Sequence, residues 1–150
     1  MTGNPGTVLI TGTTSGVGLN AAKALVNRGW TVITANRSPQ RAAAAADELD
    51  LPKQRLQHVL MDLGDLDSIR KAVATLPDRL DVCVCNAAVY KPKLKQPERS
   101  PQGFEISMAT NHLGHFLLVH LLLERLKASS SKCTKRKWPR WFVAMEISKP

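Results

Sequence analysis

Three cysteines in 150 residues, Cys83, Cys85 and Cys133, are too few for a disulfide framework and fit a reducing compartment. Cys83 and Cys85 alternate on a strand-like segment, which puts both on one face, as small core hydrophobes rather than metal or redox ligands. No apolar run reaches the roughly 20 residues of a membrane span. The longest, Phe116 to Leu123, is broken by His120 and belongs to an amphipathic helix, so no transmembrane segment is expected. The first strand-like segment starts at Thr7, which leaves no room for a signal or transit peptide. The expectation is a cytoplasmic protein or a mature form.

What the chain does have is an ordinary globular composition, 43% hydrophobic and 22% charged, in a length that makes one domain at most. Its net charge of +9 is lopsided. Residues 1–127 carry 15 basic and 11 acidic side chains, whereas residues 128–150 carry 6 basic and 1 acidic. The excess marks an unusual C-terminus rather than a basic folded face, and that tail shows neither an RNA-binding signature nor an amphipathic period. A nucleic-acid partner is therefore not expected.

Along the chain, strand and helix patterns alternate, which implies a parallel sheet with crossover helices. Thr7 to Thr11 is the first strand, followed by a helix from about 16 to 28 that Gly29 stops. Residues 30–35 form the second strand, and Ser38-Pro39 opens a helix through the alanine tract to Leu49. Residues 56–61 are the third strand, and Asp65 caps a helix that buries Leu66, Ile69, Val73 and Leu76. Residues 81–85 are the fourth strand. A Pro- and Lys-rich surface loop spans 91–103, and one long helix runs from about 104 to 127, with apolar residues on several sides. In the tail, Trp141 to Met145 has the pattern of a short strand, but the polar, basic and proline-broken sequence around it favours disorder.

The chemistry begins at Thr11-Gly12-Thr13-Thr14-Ser15-Gly16-Val17-Gly18, placed between the first strand and the first helix. Glycines there allow a tight turn and close backbone approach to a pyrophosphate at a helix N-terminus, where free N–H groups favour negative charge. A glycine triplet is weak evidence alone; the strand before it and the helix after it make it a dinucleotide-binding pattern. An acidic residue at the end of the second strand would hold the ribose 2′-hydroxyl of NAD. This chain has Asn36-Arg37 there and Arg41 in the next helical turn, two guanidinium groups that suit the 2′-phosphate of NADP. Asp62-Leu63, just past the third strand, falls where an adenine ring would lie, although Asp62 would equally serve as a helix cap. Asn86-Ala87-Ala88, leaving the fourth strand, sets small residues beside the middle of the cofactor. Asn111 is a poor helix former in mid-helix, which suggests a structural or proton-relay task. His112 and His115 are three apart but lack an acidic or cysteine partner one turn away, so a metal site is not expected. His58 and His120 read as packed or hydrogen-bonded residues.

Thr11 to Gly18, Asp62-Leu63, Asn86-Ala87-Ala88 and Asn111 together resemble the signatures of the short-chain dehydrogenase/reductase superfamily. Within it, Thr14 to Leu19, Cys85 to Tyr90 and Gly103 to Phe116 resemble the light-dependent protochlorophyllide oxidoreductase family, over roughly residues 7–127. A retinol-dehydrogenase-like group shares the Asn111 to Phe116 pattern, but usually carries two asparagines where this chain has Cys85-Asn86. The resemblance implies NADPH as cofactor, held by Gly12, Ser15, Gly16, Val17, Gly18, Arg37, Arg41, Asp62, Leu63, Asn86 and Ala87. It further implies a catalytic Asn111, protochlorophyllide as substrate with Tyr90 near its pocket, and an association with photosynthetic membranes by peripheral contact.

One departure limits that reading. The superfamily's proton-donor motif is Tyr-x-x-x-Lys, and here the single tyrosine, Tyr90, is followed at the fourth position by Leu94. Where a fifth hydrophobic strand is due, the chain reads Lys132-Cys133-Thr134-Lys135-Arg136-Lys137, the kind of change a shifted reading frame or a truncated product makes. The expected architecture is α/β, a Rossmann-like doubly wound parallel sheet truncated to about the first four βα units in strand order 3-2-1-4. Residues 1–127 would be an NADP-binding half-domain and 128–150 a basic tail. Either the chain is part of an NADPH-dependent reductase, or it is a catalytically dead module that retains nucleotide affinity. With the fifth strand lost, the fourth would become an open edge, and Leu117, Leu118, Leu121 and Leu122 would be partly exposed.

Overall fold

The structure, a computed structural model, describes residues 5–49, 52–90 and 96–130. Trp141 to Met145, Lys132 to Lys137, Cys133 and Leu94 lie outside the described residues. Four strands, β1 (Thr7–Thr11), β2 (Thr31–Asn36), β3 (Leu56–Leu60) and β4 (Val82–Val84), form one parallel sheet in the order β3-β2-β1-β4. This is the expected half of a doubly wound sheet. Its register sets Leu9 beside Ile33 and Cys83, and Ile10 beside Thr34 and Val84.

Both faces of the sheet are covered, which is why β1 and β2 read as continuous apolar runs rather than as alternating ones. Helix α1 (Gly16–Asn27) lays Ala22 and Val26 on Val8, Ile10 and Val32, and Trp30 closes that side. On the other side α3 (Leu66–Ala74) and α5 (His115–Ser130) bring Ile69, Val73, Leu118 and Leu122 onto Leu9, Ile33 and Ala35. Helix α2 (Pro39–Leu49) meets α1 through Ala45 and Leu19.

The polar ties between elements are few and specific. Asp65 caps α3 by accepting from the Asp67 N–H at 3.0 Å, and Gln102 donates to the same carboxylate oxygen at 3.0 Å. The Gln102 bond holds the Asp65 carboxyl below its usual range. The loop before the long helix, expected to be plain surface, is thus tied into the fold: Ser100 is buried, and Gln102 braces the start of α3. Asp81 accepts from the Thr7 N–H at 2.7 Å, from Arg79 and from the buried Ser129 hydroxyl, joining the start of β1, the approach to β4 and the end of α5. Arg125 donates to the Val73 carbonyl at 2.9 Å, fastening α5 to the C-terminus of α3.

The long helix differs from the single helix expected over 104–127. It comprises a short turn α4 (Ile106–Met108), a π-helical segment Ala109–Gly114, and α5. Gly114 faces the loop after β3 so closely that a Cβ there would overlap the Leu63 carbonyl oxygen. The continuous stretch Ile106–Ser129, with mean hydropathy 1.3 over its most apolar window, is long and apolar enough to cross a membrane by length and composition. That revises the expectation taken from the uninterrupted apolar run, because the helix continues through Asn111, Gly114 and His115. In the fold it is a core helix: Leu118 and Leu122 are fully buried beneath α3, while Leu117 and Leu121 are half-buried. The partial exposure expected of all four leucines holds for only two.

Candidate nucleotide-binding site

The carboxyl ends of β1, β2 and β4 open onto a cleft of about 270 Å³. Gly12 and Ser15 reach it from the glycine loop, Arg37 and Arg41 from the end of β2 and the start of α2. Asp62 and Leu63 reach it from the loop after β3, Asn86 and Ala87 from the exit of β4. Eight of the eleven residues expected to hold the cofactor therefore line one cleft. Gly16, Val17, Gly18, Tyr90 and Asn111 do not line the cleft. Val17 and Tyr90 are 80% and 85% exposed, and Gly18 is buried behind the loop.

The loop's shape depends on close backbone approaches. Gly12 has φ of 71°, and a Cβ on it would sit 2.7 Å from the Ala87 Cα. A Cβ on Gly18 would overlap the Gly12 carbonyl oxygen and come within 2.5 Å of the Asn86 amide nitrogen. Ser15, the N-cap of α1, makes no side-chain bond to its own helix, and the first turn of α1 carries no acidic residue. The first N–H groups of that helix are left for an anion, with the dipole favouring one.

At the end of β2 the asparagine and the arginines divide the work. Asn36 is buried and turned inward, accepting from the Thr13 N–H at 2.8 Å and donating to the Thr13 hydroxyl at 2.9 Å. It shapes the glycine loop, and leaves the cationic Arg37 and Arg41 to face the cleft. Ser38 caps α2 by accepting from the Arg41 N–H at 3.3 Å. Asp62 accepts from the Gly64 N–H at 2.8 Å, so its carboxylate closes a tight turn; the cap of α3 is Asp65 instead.

The exit of β4 is the most heavily bonded part of the site. Asn86 donates its side-chain amide to the carbonyls of Thr11 at 3.0 Å and Gly12 at 2.9 Å. The Thr11 hydroxyl receives the N–H groups of Asn86 and Ala87, both at 3.0 Å, and lies 3.0 Å from His115 Nε2. Asn111 accepts from the Val89 N–H at 2.7 Å and donates to the Val89 carbonyl at 2.8 Å. Its side chain grips the strand exit rather than the cleft. Sequence reasoning placed Thr11 in the glycine loop and Asn36 beside Arg37, and weighed His115 only as a metal ligand, but assigned none of the three the hydrogen-bonding part it plays here. The available signal for His115 was its place one helical turn after Asn111. Burial pushes its imidazole below the usual range, against a weaker opposing effect of the bond to the Asn111 carbonyl.

Cys83 packs half-buried against the core, whereas Cys85 is exposed at the strand's end, contrary to the expectation that both are core residues. A thiol–thiol hydrogen bond raises Cys83 and lowers Cys85. Among the other histidines, His58 lies 3.1 Å from the Thr34 carbonyl, and burial lowers its pKa; His120 is exposed.

Residues 6–133 match the family model described as short chain dehydrogenase. The chain belongs to that family. It is 47% identical over 130 residues to the chloroplastic protochlorophyllide reductase of Chlamydomonas reinhardtii, covering 84% of this chain and 33% of that protein. It is 50% identical over 128 residues to the corresponding protein of Daucus carota, covering 83% and 32%. The chain thus spans about a third of the length of these relatives. Among solved structures, an uncharacterised protein from Mycobacterium paratuberculosis superposes with a TM-score of 0.72 at 37% identity, over 81% of this chain and 43% of the other. The Pseudomonas aeruginosa RhlG/NADP active-site complex superposes with a TM-score of 0.68 at 26% identity, over 84% and 50%. The short-chain dehydrogenase fold and a nicotinamide cofactor for the family follow from these likenesses.

Proposed function

We propose that this chain is the NADPH-binding half of a short-chain reductase acting on protochlorophyllide, and that its 150 residues alone do not complete the reaction. The observation that carries the cofactor choice is the end of β2. Arg37 and Arg41 face the cleft, no acidic residue follows the strand, and Asn36 is committed to Thr13. Two cations at that edge favour a 2′-phosphate over a bare hydroxyl. The residues fit the group: the glycine loop is a cradle in which a Cβ at Gly12 or Gly18 would collide. Gly12, Ser15 and the first turn of α1 (Gly16, Val17, Gly18) would hold the pyrophosphate, Arg37 and Arg41 the 2′-phosphate, Asp62 and Leu63 the adenine, and Asn86 and Ala87 the middle of the molecule.

Bound there, the nicotinamide supplies a hydride. Asn111 would act on the reaction by fixing the strand exit through Val89, and exposed Tyr90 would border the pigment. The likeness to protochlorophyllide reductases supports the substrate, and the chloroplastic names of those relatives support a place beside photosynthetic membranes. No Tyr-x-x-x-Lys occurs in these 150 residues, so the acid that would protonate the reduced pigment is missing from them.

Arg37→Ala should weaken NADPH binding by about 1–3 kcal/mol, the worth of a charged hydrogen bond, and barely change NADH binding. Titration of both cofactors checks this, and equal losses for the two would refute the 2′-phosphate assignment. Illuminating the purified chain with NADPH and protochlorophyllide should give no chlorophyllide absorbance, since general acid catalysis is typically worth about 10²–10⁴-fold. A chlorophyllide band above the no-protein control would overturn the inactivity.

A further inference from the structure

We propose that His115 is a positioning residue, whose neutral imidazole ties the π-helical segment to the glycine loop and so keeps the cleft wall from Asn86 to Val89 in its nucleotide-binding shape. The argument is an accounting of protons. The Thr11 hydroxyl has one proton and two lone pairs, and it already accepts from the N–H groups of Asn86 and Ala87, each at 3.0 Å, the Asn86 N–H being shared with the Val84 carbonyl at 3.1 Å. Its proton has two available acceptors, His115 Nε2 at 3.0 Å and the Val84 carbonyl at 3.4 Å, and the shorter is the histidine. Nε2 is then an acceptor, so the ring proton sits on Nδ1 and donates to the Asn111 carbonyl at 3.3 Å. Both ring nitrogens are satisfied in that one tautomer. Burial of the ring favours the same neutral form.

These bonds form a closed circuit. Thr11 holds the backbone of Asn86 and Ala87, Asn111 holds the backbone of Val89, and His115 joins Thr11 to Asn111. The gripped residues line the cleft. Protonating Nε2 would aim a third donor at a hydroxyl that already accepts from two N–H groups, and would open the circuit. The titratable groups on the surrounding elements are Cys83 and Cys85 at β4, Asp62 and Asp65 after β3, Asp67, Arg70 and Lys71 on α3, and Glu105, His112, His120, Glu124, Arg125 and Lys127 on its own helical stretch. Among the described residues none of these hydrogen-bonds to the His115 ring.

This inference rests on the nucleotide-binding reading for its functional readout, and the test separates the two. NADPH is titrated by cofactor fluorescence into the full chain and into His115→Phe, Thr11→Ser, Thr11→Val and the double variant His115→Phe/Thr11→Val. At about pH 8, where the ring is neutral, His115→Phe should bind about three- to tenfold more weakly, the worth of one or two hydrogen bonds. Thr11→Ser, which keeps the hydroxyl, should bind like the parent, and the double variant should bind no worse than Thr11→Val. As pH falls through the midpoint of the His115 ring, followed by NMR, the parent should lose its advantage over His115→Phe. Titration of the 2′-phosphate affects both proteins and cancels in the ratio. Equal affinity of parent and His115→Phe at about pH 8, or a ratio unchanged across the measured midpoint of the ring, would overturn the proposal. If the parent binds no NADPH, the nucleotide-binding reading fails. The positioning role is then judged by hydrogen exchange of the peptide containing residues 86–89, which must open at least severalfold faster in His115→Phe, and an unchanged rate would overturn it.

Discussion

Replacing Gly18 with alanine tests whether the glycine loop is shaped by close packing or by backbone conformation. The new Cβ would overlap the Gly12 carbonyl and lie 2.5 Å from the Asn86 amide nitrogen. Neither neighbour is free to retreat, because that amide is itself bonded to the carbonyls of Gly12 at 2.9 Å and Thr11 at 3.0 Å. Relief requires moving the first turn of α1 away from the junction of β1 and β4. Overpacking of this kind costs about 1–3 kcal/mol, and losing both Asn86 bonds adds about 0.5–1.5 kcal/mol each. The expected cost is therefore about 2–6 kcal/mol, a large part of the roughly 5–15 kcal/mol that stabilises a domain. Gly16→Ala is the control: φ there is 60°, but no atom lies within 4 Å of the added Cβ. Its cost is left-handed strain alone, about 1–2 kcal/mol. Hydrogen exchange of the β1 amides Val8 to Ile10, read by mass spectrometry, reports the opening energy whether the chain is monomeric or associated. Equal protection losses in the two variants would refute the packing argument.

Two further outcomes follow from the fold. Asp81→Ala strands the Thr7 N–H and the buried Ser129 hydroxyl, at a cost of about 2–3 kcal/mol in denaturant unfolding; the Arg79 pair, 62% exposed on the arginine side, adds little. Desolvation raises the Asp81 pKa, but bonds from Ser129, Thr7 and Arg79 outweigh it and hold the group below its usual range. The stabilisation is then complete above the ordinary carboxylate pKa and is lost as pH falls below about 4, so the acid unfolding midpoint should shift upward in Asp81→Asn. Val82 to Val84 pair only with β1 among the described residues, so the outer edge of β4 should template association at micromolar concentration. Sedimentation checks this, and a monomer with a sharp two-state thermal transition would refute it.

The elements were legible where one local rule sufficed. Both-face burial made β1 and β2 continuous apolar runs, Asp65 stood where a cap should, and the glycines fell between a strand and a helix. The cleft's edges were legible for the same reason, since each lies at a strand's carboxyl end. What escaped were pairings across long sequence separations. His115 reaches Thr11 across 104 positions, and Gln102 reaches Asp65 across 37. No window of periodicity contains both partners. Asn36 was legible as the residue in the cofactor-selecting position, but not as one turned inward, because that depends on a bond to Thr13 across 23 positions. The π-helical segment left only a weak local trace, an asparagine in mid-helix, and its meaning needed the Val89 backbone as partner.

These long-range pairings also explain why a nucleotide site can stand apart from the chemistry it serves. Among the described residues, the bonds that shape the cleft wall include Thr13–Asn36, Asn86–Gly12 and Asn111–Val89, which join β1, β2, β4 and the π-helical segment to one another. The cradle is thus organised by β1, β2, β4 and the π-helical segment, whereas a proton donor of the Tyr-x-x-x-Lys kind has no place in these 150 residues. On the proposed reading, affinity for the cofactor depends on Arg37, Gly18 and His115, and is expected to be measurable apart from any reduction. A parent chain that binds NADPH more tightly than NADH, yet leaves illuminated protochlorophyllide unreduced, is the pair of results this arrangement requires.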